Sequence, residues 1–188
     1  MDFTIASPPN SIHRITLITG PSRSGKSEWA EQLAIQSDKP VTYVATAQNR
    51  EEDAEWRSRI QQHQQRRPAS WRTVEAPSDL ACVIESAHPD HCLLIDSLGT
   101  WLANYWEHSE EDWQTIQTAF LASLIQTANQ IILVAEETGW GVVPAYPSGR
   151  IFRDRLGGLI RSVGAIADPV YLVTGGYALN LRELGTPI

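Results

Sequence analysis

Arg14-Ile15-Thr16-Leu17-Ile18-Thr19 runs directly into Gly20-Pro21-Ser22-Arg23-Ser24-Gly25-Lys26-Ser27. The first six residues have the apolar, β-branched content of a short buried strand. Beyond the glycines, residues 27–37 place Trp29, Ala30, Leu33 and Ala34 on one helical face. Between strand and helix, Gly20 to Ser27 satisfy G-x-x-x-x-G-K-[ST] without a gap, in the setting that this pattern requires. Glycines let the backbone wrap closely round phosphate, and loop N–H groups with the helix dipole supply partial positive charge. In such a loop Gly20, Pro21, Ser22, Arg23, Ser24 and Gly25 cradle a nucleotide. Lys26 reaches the β and γ phosphates, and the Ser27 hydroxyl ligates Mg²⁺.

Working outward, residues 41–46 (VTYVAT), 71–75, 91–96 (HCLLID), 130–135 (QIILVA) and 170–174 read as further strands. Helical patterns fill residues 52–66, 80–87, 98–106, 111–128 and 150–167, and a Gly/Pro-rich loop covers 138–149. Strands alternating with helices predict an α/β, P-loop NTPase-type three-layer fold with a mainly parallel sheet. At 188 residues the expectation is one domain, residues 14–188, behind a tail of residues 1–13.

Fifteen Lys and Arg against 22 Asp and Glu give a net charge of −7, which argues against a broad nucleic-acid or basic membrane surface. Anion binding then requires concentrated cations. Arg57, Arg59, Arg66, Arg67 and Arg72 gather around His63, and Arg150, Arg153, Arg155 and Arg161 follow the Gly/Pro loop. Cys82 and Cys92 sit in apolar runs and read as buried free thiols, and their spacing with His88 and His91 matches no usual zinc pattern. The first residues have no signal-peptide layout, and no run approaches the roughly 18 apolar residues of a membrane span, so a soluble, cytoplasmic protein is expected.

Asp96, closing an apolar strand, is the candidate second Mg²⁺ contact, although a strand-end Asp also caps helices. Ser97 follows it where motor-type ATPases carry a second acid, and no N-K-x-D guanine-reading signature occurs. Both absences favour phosphoryl transfer to a small molecule. His63, sharing a helix face with Trp56 and Ile60, reads most simply as a core or boundary residue; its sharper reading is a nucleophile, since neutral imidazole attacks phosphorus.

The strings GPSRSGKS (20–27), VTYVATAQ (41–48), EDAEWRSRIQQHQQRRPASWRTVEAP (52–77), LLIDSLGTWLANYW (93–106), ETGWGVVP (137–144) and RIFRD (150–154) together resemble the bifunctional adenosylcobinamide kinase / adenosylcobinamide-phosphate guanylyltransferase family of cobalamin biosynthesis. The likeness runs from about residue 15 to 173. Its most particular part is R-I-x-x-H-x-x-R-R-P-x-x-W, from Arg59 to Trp71. The resemblance implies a homotrimer with two activities. One phosphorylates adenosylcobinamide with ATP or GTP. The other transfers GMP from GTP, through a guanylylated histidine, to the phosphorylated corrinoid. By motif position that histidine is His63, Gly20 to Ser27 are the nucleotide loop, Asp96 is the magnesium-associated acid, and Glu75 and Glu137 join the nucleotide-binding residues. Three departures stand out: Glu136-Glu137 replaces a frequent Asn-Glu, Ala145-Tyr146 a frequent Glu-Asn, and Ile160-Arg161 a frequent Asn-Gln. They remove polar groups expected to face nucleotide or corrinoid.

Two other readings compete with this one. The first is a P-loop kinase without nucleotidyl transfer, in which residues 150–155 form an anion-clamping lid. The second is a regulatory module that binds nucleotide as a structural ligand. Seven tryptophans, with Trp56, Trp106 and Trp113 in polar helical stretches, also point to subunit interfaces.

Overall fold

The computed structural model describes residues 14–48 and 67–188, which leaves the 52–66 helical expectation outside the described residues. The P-loop joins β1 (Ile15–Gly20) to α1 (Lys26–Gln36). The chain continues through β2 (Val41–Ala45), β3 (Arg72–Glu75), α2 (Leu80–Ser86), β4 (Cys92–Asp96) and α3 (Leu98–Leu102). A 3₁₀ turn at Ala103–Tyr105 leads to α4 (Glu110–Gln126), β5 (Gln130–Glu136), α5 (Pro147–Ile166) and β6 (Val170–Thr174). Strand β7 (Tyr177–Asn180) and the single turn α6 (Leu181–Leu184) end the fold.

The strands form one sheet in the order β3-β2-β4-β5-β1-β6-β7, parallel except for the β6–β7 hairpin. Apolar residues fill both faces of the central strands, as buried parallel sheets require. Ile18, Leu94, Ile132 and Val134 face Ala30 and Ala34 of α1, while Leu17, Leu93, Ile95, Ile131 and Leu133 face the helices of the other layer. The alternation of neighbouring residues between the two clusters is the period of two expected of a strand.

The sequence-based strand set stops at residue 174, yet β7 follows. Its turn is Gly175-Gly176, with φ of 58° and 82°, the paired positive values of a type I′ hairpin. The Gly-Gly doublet between two apolar runs carried that signal. Helix α5 starts three residues before expectation because Pro147 occupies its first turn, where a missing N–H costs nothing. Arg182 of α6 donates to the carbonyls of Gly164, Ala165 and Ala167, closing the C-terminus of α5 with a cation.

Trp113 is 2% exposed and packs against the rings of Trp101 and Tyr105 in the core, with Phe120 against Trp101, which corrects its reading as an interface residue; Trp106 is exposed. Trp101 is 1% exposed and its indole N–H also donates to the Ser78 carbonyl at 2.8 Å. Trp101→Ala empties the centre of this cluster and is expected to cost about 3–5 kcal/mol, measured as a shift in the urea unfolding midpoint. Of the cysteines, Cys92 lies in the sheet core, where burial pushes its thiol up to about 11. Cys82 is exposed on α2, against the expectation of burial.

Candidate active site

All parallel strands bring their carboxyl ends to one edge, the place where open α/β sheets bind ligands. Pairing registers set the order of residues along it. Glu75 of β3 and Asp96 of β4 both pair with Ala45 of β2, and Glu136 of β5 pairs with Gly20 of β1. The P-loop and Asp96 therefore stand about two strand spacings apart, roughly 10 Å at the usual 4.8 Å. Glu75 lies roughly another 10 Å further out, exposed and remote from the P-loop.

The loop itself has the backbone of an anion nest. Arg23 (φ 59°) and Gly25 (φ 92°) adopt left-handed conformations, which turn successive N–H groups inward. A non-glycine residue in that region costs on the order of 1–2 kcal/mol, and such strain collects at functional positions. Gly25 is the N-cap of α1 and offers no side-chain acceptor, so the first N–H groups of the helix stay open to a ligand. Ser24 Oγ is buried without a hydrogen-bond partner in the protein, an orphaned polar atom in the same loop. Lys26 is 8% exposed, and its ammonium donates to the Pro21 carbonyl at 3.1 Å, folded over its own loop.

Asp96 is held by what surrounds it. The Tyr43 hydroxyl hydrogen-bonds its carboxylate, and burial, followed by the Asp96 charge, raises the Tyr43 phenol well above its ordinary value. The Arg67 guanidinium lies 3.2 Å from the centroid of the Tyr43 ring and 3.9 Å from Glu31. On the other side the turn after Asp96 is locked by a hydroxyl network. Ser97 N–H donates to Thr46 Oγ1 at 2.8 Å, Thr46 Oγ1 donates to the Ser97 carbonyl at 2.7 Å, and Ser97 Oγ caps α3 by accepting from Thr100 N–H. From the 3₁₀ turn beyond α3, Asn104 Nδ2 donates to the carbonyls of Thr46 and Pro77. The capping role weighed for Asp96 thus falls to Ser97.

With this geometry in view, comparison with known proteins is decisive. The cobinamide kinase / cobinamide phosphate guanyltransferase family matches residues 16–181. The chain belongs to that family. It is 40% identical over 176 residues to the bifunctional adenosylcobalamin biosynthesis protein CobP of Pseudomonas aeruginosa, spanning 92% of this chain and 98% of that protein. The bifunctional adenosylcobalamin biosynthesis proteins CobU of Escherichia coli and Salmonella typhimurium are each 34% identical, over 181 and 182 residues, spanning 88% of this chain and 98% of theirs. Membership makes the chain an enzyme of the kinase and guanyltransferase class.

Within this cobinamide kinase family member, Glu136, which the sequence marks only as a departure from the family pattern, is built into the site. It accepts from Ser97 Oγ and, at 2.9 Å, from Gly99 N–H, bridging β5 to the turn after Asp96. A Cβ on Gly99 would stand 2.0 Å from Glu136 Oε2, so only glycine admits that approach. Burial raises the Glu136 carboxyl above its ordinary value, and the Asp96 charge adds to the rise against the opposing pull of Ser97 and Lys26. Its signal was present in the sequence: like Asp96, it is a carboxylate closing an apolar strand. Glu137 turns the other way, with its N–H on the Gly20 carbonyl and its Oε1 accepting from Gly139 N–H, both at 2.8 Å.

A raised native carboxyl binds its proton at pH values where the unfolded chain has lost it, so stability falls as pH rises through that window. The wild type is therefore expected to lose stability relative to Glu136→Gln as pH rises above the ordinary carboxyl value of 4.5, measured as the difference of their urea midpoints. A difference independent of pH would contradict this.

The two arginine groups resolve unevenly. Arg155 bonds Glu110 and the carbonyls of Tyr105 and His108, and Arg150 bonds the carbonyls of Pro144 and Ala145. Arg153 likewise donates to the Gly139 carbonyl, so the arginines of residues 150–155 are engaged within the protein. Arg153 and Arg161 also line a cavity beside the P-loop. In the first group Arg67 is built into the site and Arg72 is exposed on β3; Arg57, Arg59, Arg66 and His63 lie outside the described residues. Among the described residues no helix is long and apolar enough to cross a membrane.

Proposed function

We propose that this cobinamide kinase / cobinamide phosphate guanyltransferase family member runs two phosphorus transfers from one sheet edge. The carrying observation is the open P-loop nest, with Ser24 Oγ and the Gly25-capped helix start unfilled, standing beside the network-held Asp96. In the first step the hydroxyl of the aminopropanol arm of adenosylcobinamide attacks the γ-phosphorus of ATP or GTP. The bond to the β,γ-bridging oxygen breaks, the nucleoside diphosphate leaves with the electron pair, and the hydroxyl proton is lost. Loop N–H groups hold the phosphates and Lys26 neutralises charge on the β and γ oxygens. The Ser27 hydroxyl and the Asp96 carboxylate, two hard oxygen donors at this edge, suit Mg²⁺, which when bound spreads the charge of the triphosphate.

In the second step an imidazole nitrogen of His63 attacks the α-phosphorus of GTP and pyrophosphate leaves. A phosphate oxygen of the phosphorylated corrinoid then attacks the same phosphorus, the P–N bond breaks, and adenosylcobinamide-GDP is released with the imidazole restored. Support for one shared edge comes from Arg67, which stacks on Tyr43 beside Asp96. Four peptide units separate His63 from it, a reach of at most roughly 14 Å. Glu75, at the outer end of the edge, suits the base or ribose end of a nucleotide, and Glu137 suits the acceptor side. Residues 14–188 act as one domain behind the 1–13 tail, in a cytoplasmic homotrimer.

The test is stepwise conversion. Purified protein with adenosylcobinamide, Mg²⁺ and ATP is expected to yield the monophosphate by mass spectrometry, and addition of GTP to yield adenosylcobinamide-GDP. Monophosphate without the second product selects the kinase-only reading. Neither product, with nucleotide still bound, selects the regulatory module.

A further inference from the structure

The cavity beside the P-loop has a volume of about 380 Å³ and lies between the β5–α5 loop and the exposed side of α5. Glu137, whose N–H bonds the first residue of the P-loop, forms one wall. The others are built from Gly139, Arg153, Asp154 and Arg161. Two guanidinium groups and two carboxylates give a rim with no net charge, which does not suit a polyphosphate. It does suit a molecule edged with neutral carboxamides, because each amide carries an N–H for an acid and a carbonyl for an arginine.

Two further observations point to a broad ligand lying over this rim. Gly157 and Gly158, consecutive in the middle of α5, line the cavity, and a Cβ added to either would meet nothing within 4 Å. A helix-interior glycine costs roughly 0.5–1 kcal/mol relative to alanine, and here protein packing does not require it. The strip of backbone is left bare on the cavity side. Next to it the β5–α5 loop exposes Trp140 at 62%, Val142 at 96%, Val143 at 59% and Tyr146 at 77%, a run of apolar side chains turned to solvent in one segment. The loop is not slack, since Arg153 donates to the Gly139 carbonyl and Arg150 to those of Pro144 and Ala145.

We infer that this cavity and the apolar loop above it form the acceptor subsite. The rim of Glu137, Arg153, Asp154 and Arg161 receives the carboxamide-bearing edge of the corrinoid, and Trp140 with Val142 covers the macrocycle. This rests on the reading of the corrinoid as acceptor given above, and it explains the departure at Ile160-Arg161. Arg161 supplies donors to amide carbonyls, and Ile160 packs against the core. The cavity is too small for a whole corrinoid, so an edge enters it while the loop takes a face.

The experiment uses dicyanocobinamide, whose binding is followed by quenching of tryptophan fluorescence and by equilibrium dialysis, so that no turnover is needed. Wild type, Trp140→Ala, Arg161→Glu and the remote surface control Ile125→Ala on α4 are compared. Expected are a Kd raised about tenfold or more by each of the first two substitutions and unchanged by Ile125→Ala. In the kinase assay both raise the KM for adenosylcobinamide without a matching rise in the KM for ATP. Wild type that fails to bind dicyanocobinamide, or variants that bind it as wild type does, would overturn the subsite. If wild type turns over adenosylcobinamide while the variants keep its KM, the subsite alone falls. Corrinoid binding that depends on Trp140 and Arg161, without turnover, upholds the subsite and sinks the kinase reading.

Discussion

His63→Ala is expected to abolish the covalent guanylyl adduct formed with GTP and, with it, formation of adenosylcobinamide-GDP, while phosphorylation of adenosylcobinamide continues. The nucleotidyl transfer as proposed passes through a P–N bond, and alanine offers no atom to make one. Loss of a covalent nucleophile leaves only positioning and electrostatic stabilisation, so the second reaction should fall by three orders of magnitude or more. The kinase step uses the P-loop, Asp96 and the acceptor hydroxyl, none of which needs the imidazole. The check is acid-labile, base-stable label from α-labelled GTP after denaturation, alongside a kinase assay on the same preparation. A variant that still labels would show that another residue carries the GMP.

Lys26→Ala is expected to have the complementary effect, lowering kcat of the kinase by about 10²–10³-fold with the fold retained. A charged donor aimed at phosphate oxygens in a water-poor cleft is worth about as much as an oxyanion-hole donor. The ammonium donates to a carbonyl of its own loop, and the buried Glu136 whose charged form it favours already has a raised carboxyl, which takes up a proton when Lys26 is removed. Circular dichroism and the unfolding midpoint should therefore change little while single-turnover phosphoryl transfer collapses. Retention of the kinase rate within a few-fold would exclude Lys26 from the reaction.

Much of this was legible in the sequence because the informative signals are local. A strand running into G-x-x-x-x-G-K-S and then a helix specifies the β1–P-loop–α1 unit without reference to the rest of the chain. An apolar run closing in Asp96 places a carboxylate at the carboxyl end of the sheet, and the registers set it level with Glu75, which ends the largely polar strand β3. Less legible were features that depend on which strands become neighbours. Glu136 could be seen as an acid in an unusual place, but its bridge to Ser97 and Gly99 exists only because β5 lies beside β4. Trp113 sits in a polar stretch, and its burial follows from the one helical face on which it meets Trp101 and Tyr105. The arginines after the Gly/Pro loop looked alike in sequence. Helical geometry separates Arg155, turned toward α4, from Arg153 and Arg161, turned toward the cavity.

The short β3 edge, the hairpin that adds β7, and the helical cap by Arg182 frame the sheet, and among the described residues its carboxyl edge is open. Openness at that edge is what a small domain needs if two large substrates are to meet there. The most direct measurement is the site of covalent modification. Wild-type protein is incubated with GTP and Mg²⁺, quenched in base, digested, and mapped by tandem mass spectrometry. GMP on the peptide containing His63, lost again on adding the phosphorylated corrinoid as adenosylcobinamide-GDP appears, is the expected result. GMP on any other residue, or product formed with no covalent GMP at any time point, would contradict it.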